Sequence, residues 1–360
     1  MTMTAQKTAM ALATGLLLAS SAIAQTAPTV TLYGRIDLGL ESVNDGTLTK
    51  TMLQNYASRI GFKGERGFSG DLAGVFQVET GVAPDDTSQS KAFANRNSFV
   101  GLKSKSMGTF LVGTYDSPLK SLDAGGYAGT LYGEGEAMEV IIHGKGTRTA
   151  VGSSLFDNVH TRQTNNLVYL SPKFADMVVK ASYSPDEGQT ATTNQPLYAA
   201  SLEWNNGTYN AGIATQSKAV SDKAFGMTAT KFSLGAKMDA LSGAIVFSTL
   251  ENQAPIATNV RKTTNTLFVV NYVDGAMTYK FNYGMSGESA SNAADDLTMM
   301  ALEAAYALDK QTILYGSYAQ ITNNTKARGT FVGADNFPSI AATAAGSDPT
   351  AITFGLRYNF

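Results

Sequence analysis

The sequence predicts an all-β fold, a 16-stranded antiparallel transmembrane β-barrel, on three observations. Several segments alternate apolar and polar residues over nine or more positions, the pattern of a strand with two unlike faces. The connections between them alternate between short turns and long polar loops. After Ala24 no stretch approaches the roughly 18 consecutive apolar residues of a membrane helix, a pattern that barrels do not need.

Residues 1–24 read as a secretory signal, with Lys7 as the positive region, Ala9 to Ala19 as the apolar run and Ala22-Ile23-Ala24 as a small-x-small cleavage site. Cleavage leaves 25–360, 336 residues in a single barrel, and removing Lys7 takes the net charge from −2 to −3. The first strand follows, with Val30, Leu32, Gly34, Ile36, Leu38 and Leu40 opposed by Thr31, Tyr33, Arg35, Asp37, Gly39 and Glu41. Met177–Ser184, Tyr198–Trp204 and Met300–Leu308 carry similar patterns. From Met277 the apolar set is Met277, Tyr279, Phe281, Tyr283 and Met285, against Thr278, Lys280, Asn282, Gly284 and Ser286. The last strand sets Ile352, Phe354, Leu356, Tyr358 and Phe360 against Thr353, Gly355, Arg357 and Asn359. Near Phe99, Thr230 and Leu314 the faces stay open.

Asn205-Asn206-Gly207, Asp274-Gly275 and Asp309-Lys310 supply tight turns. Pro185–Pro196, Asn252–Thr263, Gly287–Asp296 and Ile321–Thr350 are long and polar. A sandwich or propeller would hide the apolar parity inside. Two features favour a barrel with a wet lumen. The polar parity carries Arg, Lys, Asp and Glu strand after strand, and Tyr279, Tyr283, Tyr306, Tyr358 and Phe360 lie near strand ends, as interfacial girdles do.

Composition narrows the function classes. A net charge of −2 argues against nucleic acid, and the lack of Cys removes disulfides, thiol nucleophiles and Cys-based zinc sites. Charged residues make up only 16%, while 35 Gly, 16 Tyr and 17 Phe suit short strands and turns.

At the motif level the chain resembles the trimeric Gram-negative general porins of β-proteobacteria. Val30 to Asp37 (VTLYGRID), Ser58 to Gly64 (SRIGFKG) and Gly74 to Gly81 (GVFQVETG) are similar to that family's first three strands. Asn95 to Leu102 (NRNSFVGL) is similar to the fourth, and Arg162 to Tyr169 (RQTNNLVY) to the strand after the constriction loop. The ending FGLRYNF, Phe354 to Phe360, resembles its terminal strand. Between Thr208 and Leu250, pattern carries more of the reading than motif.

This resemblance implies a third loop folded into the lumen, here between Asp116 and Arg162, and at over forty residues too long for an idle connection. The loop carries Glu134, Glu136 and Glu139, then His143, Lys145 and Arg148, with Gly125, Gly126, Gly129, Gly133 and Gly135 allowing tight folding. It implies a basic wall of Arg59, Arg96 and Arg162, with Arg35 and Lys63 nearby. Alternation independently places Arg35, Arg59 and Lys63 on the polar parity, whereas Arg96 shares its parity with Val100 and Leu102 and rests on the resemblance. Opposed carboxylates and guanidiniums would set up a transverse field, and ion preference would follow the local charge rather than the total. Three loop Glu depart from the most basic family members.

The resemblance further implies a non-specific diffusion channel for ions and small hydrophilic solutes, a homotrimer, contact with outer-membrane lipid and lipopolysaccharide, and Phe360 as a signal to the barrel-assembly machinery. No cofactor or metal is implied. A substrate-specific channel and a surface adhesin using the long loops are the alternatives. An acyl hydrolase needs Ser, His and a carboxylate, and the two His, His143 and His160, both fall in the constriction loop. Asp85-Asp86 and Asp295-Asp296 read as solvated loop charge, and no Gly-x-x-x-x-Gly-Lys-[Ser/Thr] phosphate loop occurs.

Overall fold

The computed structural model describes residues 29–68, 70–85, 92–126, 131–133, 136–144, 161–218, 226–253, 261–289, 293–331, 340–341 and 344–360. The expected signal, Glu134, Lys145, Arg148 and His160 lie outside these residues.

Sixteen antiparallel strands form one closed barrel. They are β1 (Thr29–Asn44), β2 in two halves (Thr49–Asn55 and Arg59–Gly67), β3 (Leu72–Gly81), β4 (Ser98–Ser104) and β5 (Gly108–Asp116). Next come β6 (Arg162–Leu170), β7 (Met177–Ser184), β8 (Leu197–Asn205), β9 (Tyr209–Lys218), β10 (Gly226–Met238) and β11 (Leu241–Gln253). The circuit finishes with β12 (Arg261–Asp274), β13 (Met277–Ser286), β14 (Leu297–Ala307), β15 (Thr312–Asn323) and β16 (Thr350–Asn359). Each strand pairs with its sequence neighbours, and β1 pairs with β16 from Arg35↔Asn359 to Asn44↔Thr350, so no edge is left open. A barrel without edges satisfies every ladder internally, which a lipid environment demands.

Solvent exposure sorts the two parities. Leu32, Leu40, Tyr279, Leu302, Leu356 and Tyr358 are exposed on the outside, while Asp37, Glu41, Lys280, Asn282 and Thr353 are buried toward the interior. The open faces resolve as well: Thr230 and Leu314 point out, beside exposed Phe232 and above buried Tyr315, whereas Phe99 stacks edge-on against Tyr115 with ring centroids 5.3 Å apart. Where inward neighbours meet, small residues admit large ones. Gly355 pairs with Tyr315, and a Cβ there would overlap the tyrosine ring.

One irregularity matters for the site. The register of β1 with β2 slips by one residue between Leu38↔Asn55 and Arg35↔Arg59. Tyr56, Ala57 and Ser58 occupy the slip, with Ala57 at φ 58°. This β-bulge reverses parity, since an extra residue moves every later side chain to the other face. Gln54 and Tyr56 are buried toward the interior ahead of it, and Arg59, Gly61 and Lys63 take that face after it. Ser58 pins the bulge, its hydroxyl accepting from the Asp37 amide at 2.9 Å.

The interior is less uniformly polar than alternation predicts. Inward positions of β11 to β15 include Val246, Leu267, Val269, Met299, Ala301, Ala319 and Ile321, all buried in one cluster. That cluster is the seat of the loop between β5 and β6. The loop leaves the wall through a short helix, α1 (Pro118–Ser121), capped by the Ser117 hydroxyl, and later forms a single π-helical turn, Met138–Ile142. Val140, Ile141 and Ile142 bury themselves in the apolar seat, and Leu119 and Leu122 fill a second cluster with Leu197, Ala214 and Leu250. The long polar segment after β15 is also partly structured. Thr330–Phe331 pairs with Ile340–Ala341, and Phe331 and Ala327 join the same cluster as the π-turn.

Candidate functional site

Folding the loop inward brings its charges against the wall. At the loop tip, the Tyr132 amide donates to Glu303 Oε2 at 2.5 Å. The Tyr132 ring lies between two cations, Lys280 Nζ 3.7 Å and Arg357 Cζ 4.1 Å from its centroid. Each cation has its own carboxylate: Lys280 pairs with Glu303 at 2.9 Å, and the Arg357 Nε donates to Asp37 Oδ2 at 2.6 Å. Tyr315 donates to the other Asp37 oxygen at 2.8 Å. Past the π-turn, Ser248 donates to the Ile142 carbonyl at 2.6 Å, and His143 sits between Glu139 (Nδ1 to Oε2 3.3 Å) and Lys231 (Nε2 to Nζ 3.2 Å). The loop is therefore held at both ends of its inward run.

The basic residues expected from sequence divide into two groups. Arg35 and Arg59 face each other across β1 and β2, and Arg35 donates to the neutral carbonyl of Ala57 at 3.2 Å. Arg35 is within electrostatic range of Arg59 and Arg357, and of the carboxylates of Asp37 and Glu136. Glu136 is thus a loop carboxylate whose charge is felt at the β1–β2 wall. Lys63 lies on the same face four residues beyond Arg59, its ammonium 5.1 Å from the Tyr33 ring centroid.

Arg96 and Arg162 are bound up differently. Arg96 is buried, with Nε 2.5 Å from Glu79 Oε1, and Tyr33 donates to the other oxygen of Glu79 at 3.0 Å. Both Arg59 and Arg96 lie within electrostatic range of Tyr33, so these two belong to one neighbourhood. Arg162 stands at the root of the loop, its Nε 3.0 Å from Asn97 Oδ1 and 3.4 Å from Asp116 Oδ1. Glu139 turns away from the Arg wall and is buried beside His143. Phe360 closes the seam, exchanging backbone hydrogen bonds with Gly34 at 2.9 and 3.1 Å.

Asp37, Lys280, Glu303, Arg357, Tyr132 and Lys231 are part of this interior and were not singled out by sequence. A signal existed for Asp37, Lys280 and Arg357, which all stand on the polar parity of their strands. For Tyr132 there was none.

A closed barrel with an apolar outer belt and a charged loop clamped inside its lumen has the architecture of an outer-membrane barrel, and the matches to known proteins agree. The chain belongs to the Gram-negative porin family, whose profile matches residues 8–326. Its place is accordingly the outer membrane. It is 30% identical over 208 residues to the major outer membrane protein P.IB of Neisseria gonorrhoeae, covering 55% of this chain and 54% of that one. A second P.IB protein, from Neisseria sicca, is 38% identical over 85 residues, 21% of this chain and 23% of its own. The chain spans about half the length of the curated relatives it matches. Among solved structures, an anion-selective porin from Comamonas acidovorans superposes with a TM-score of 0.79 at 21% identity, over 93% of this chain and 100% of that one. The trimer form of OmpT from Vibrio cholerae superposes with a TM-score of 0.70 at 16% identity, over 93% and 100%. Family membership sets aside the hydrolase alternative.

Proposed function

We propose that this protein is a general outer-membrane channel for the passive diffusion of ions and small hydrophilic solutes. The observation that carries the reading is the loop held inside the barrel by Tyr132 and the π-turn, with Glu136 within electrostatic range of Arg35. A solute crossing there meets mixed charge: Arg35, Arg59 and Lys63 on one wall, and Asp37, Glu79 and Glu303 each engaged with a cation or its neighbour. Several positive charges are thereby balanced locally, which favours weak ion selectivity over a strong anion filter. We assign Arg35, Arg59, Arg96 and Glu136 to the constriction, Lys63 to the wall on its short-turn side, and Arg162 to the support of the loop. The trimer form of a fold relative and the family itself support a homotrimer set in outer-membrane lipid and lipopolysaccharide.

Planar-bilayer recording in a salt gradient tests the reading. Stepwise conductance is the expected result, and its absence removes the channel assignment. A unit charge acting over ~10 Å of water is worth roughly 0.4 kcal/mol, about a twofold change in permeability ratio. Arg35→Ala should shift the reversal potential toward cations by about that factor, and Glu136→Gln toward anions. Shifts of the same sign would separate these two residues from the eyelet.

A further inference from the structure

Most of the apolar surface on the inner wall is covered by the constriction loop, the final loop or α1. Among the described residues, no loop covers a niche of about 400 Å³ in the half of the lumen nearest the short turns, whose lining belongs to wall strands β1 to β6. Val75, Phe99, Leu111 and Tyr115 form its floor, with Phe99 and Tyr115 edge-to-face. Lys63 and Gln77 stand at its side. Glu65 also borders it, but this carboxylate is matched by Lys103 at 2.8 Å, which leaves Lys63 as the net charge of the rim.

Aromatic floor in a wet lumen is costly unless something besides water uses it, and concave apolar surface with a few polar groups is the usual form of a small-molecule site. The wall above the niche is also graded. Arg59 and Lys63 share one face of β2 at four residues' separation, roughly 13 Å along a strand. An anion released from the eyelet at Arg35 and Arg59 therefore meets its next cation at the mouth of the niche.

We propose that the niche is a second solute subsite, one that retains monocyclic aromatic carboxylates on the periplasmic side of the constriction. The ring stacks on Phe99 and Tyr115, and the carboxylate faces the Lys63 ammonium. This rests on the channel reading above and adds a preference that a purely non-specific pore lacks.

Single-channel recording with the whole protein, comparing sodium benzoate with sodium acetate at equal ionic strength, tests it. Benzoate should produce concentration-dependent interruptions of the open current, more frequent when added on the short-turn side, and acetate should produce none. Phe99→Ala should shorten the interruptions about tenfold, as expected for losing roughly 1.4 kcal/mol of ring contact. Lys63→Gln, at an exposed position where folding is not at stake, should shorten them about twofold. Phe110→Ala, on the lipid-facing side of the neighbouring strand, should leave them unchanged. Equal behaviour of benzoate and acetate overturns the subsite, as does benzoate block indifferent to both Phe99→Ala and Lys63→Gln. Block by benzylammonium as strong as by benzoate overturns the assignment to carboxylates. A protein that forms no channel at all fails the porin reading itself, a separate result.

Discussion

Asp37 illustrates how single residues work in this lumen. It is fully buried, and Arg357 and Tyr315 meet both of its oxygens. Removing one partner of a buried ion pair strands the other charge, at a cost of roughly 3–5 kcal/mol, whereas replacing both with apolar residues is often near neutral. Asp37→Ala should therefore lower the thermal unfolding temperature in detergent far more than the Asp37→Leu/Arg357→Met double variant. Equal losses would make the pair incidental. Parity made Asp37, Arg35, Arg59 and Lys63 legible as lumen residues, because two-residue periodicity is written into the chain. Their partners were not legible. Asp37 and Arg357 meet only through barrel closure, and Arg96 finds Glu79 from a position ahead of its strand, where alternation gives no direction.

Between residue and barrel, the inward loop is the element on which the proposed channel function turns. Its sequence drew attention to glutamates, yet the seat is made by the apolar run Val140–Ile142, and Ile141 lies so close to Gly284 that a Cβ there would overlap it. The signal was an apolar stretch inside a polar loop, matched by apolar inward residues on β11 to β15 that alternation alone assigns to no loop. The tip depends on Tyr132, whose two cation contacts are worth roughly 0.5–1 kcal/mol each or more when desolvated. Tyr132→Leu should leave the barrel folded, judged by unchanged heat-modifiable migration, while raising open-channel current noise. Unaltered noise would mean the π-turn alone holds the loop.

For the whole molecule, the closing seam between β1 and β16 unites the first and last strands of the described chain. Gly34 accepts and donates backbone hydrogen bonds with Phe360, and the Phe360 ring covers the place a Gly34 side chain would take. Deleting Phe360 removes two hydrogen bonds and a ring stacked on Tyr358, so refolding into detergent or lipid should slow and yield should fall. Refolding at the parent rate would confine any role of Phe360 to recognition by assembly factors. Gly34→Val should act in the same direction by displacing the ring. The count of strands was legible, since turn chemistry and alternation mark each hairpin; the bulge at Tyr56–Ser58 was not, since a local slip looks like ordinary alternation on either side. That slip makes the chain unequal in its tolerance of length change. Losing a residue from an outer loop alters only the loop. Losing Ala57 would only close the bulge into regular alternation and keep Arg59 and Lys63 inward, whereas losing Ile60 would swap inside for outside along the rest of β2, driving Lys63 into hydrocarbon and Phe62 into water. In this barrel, counting is a constraint as strict as chemistry.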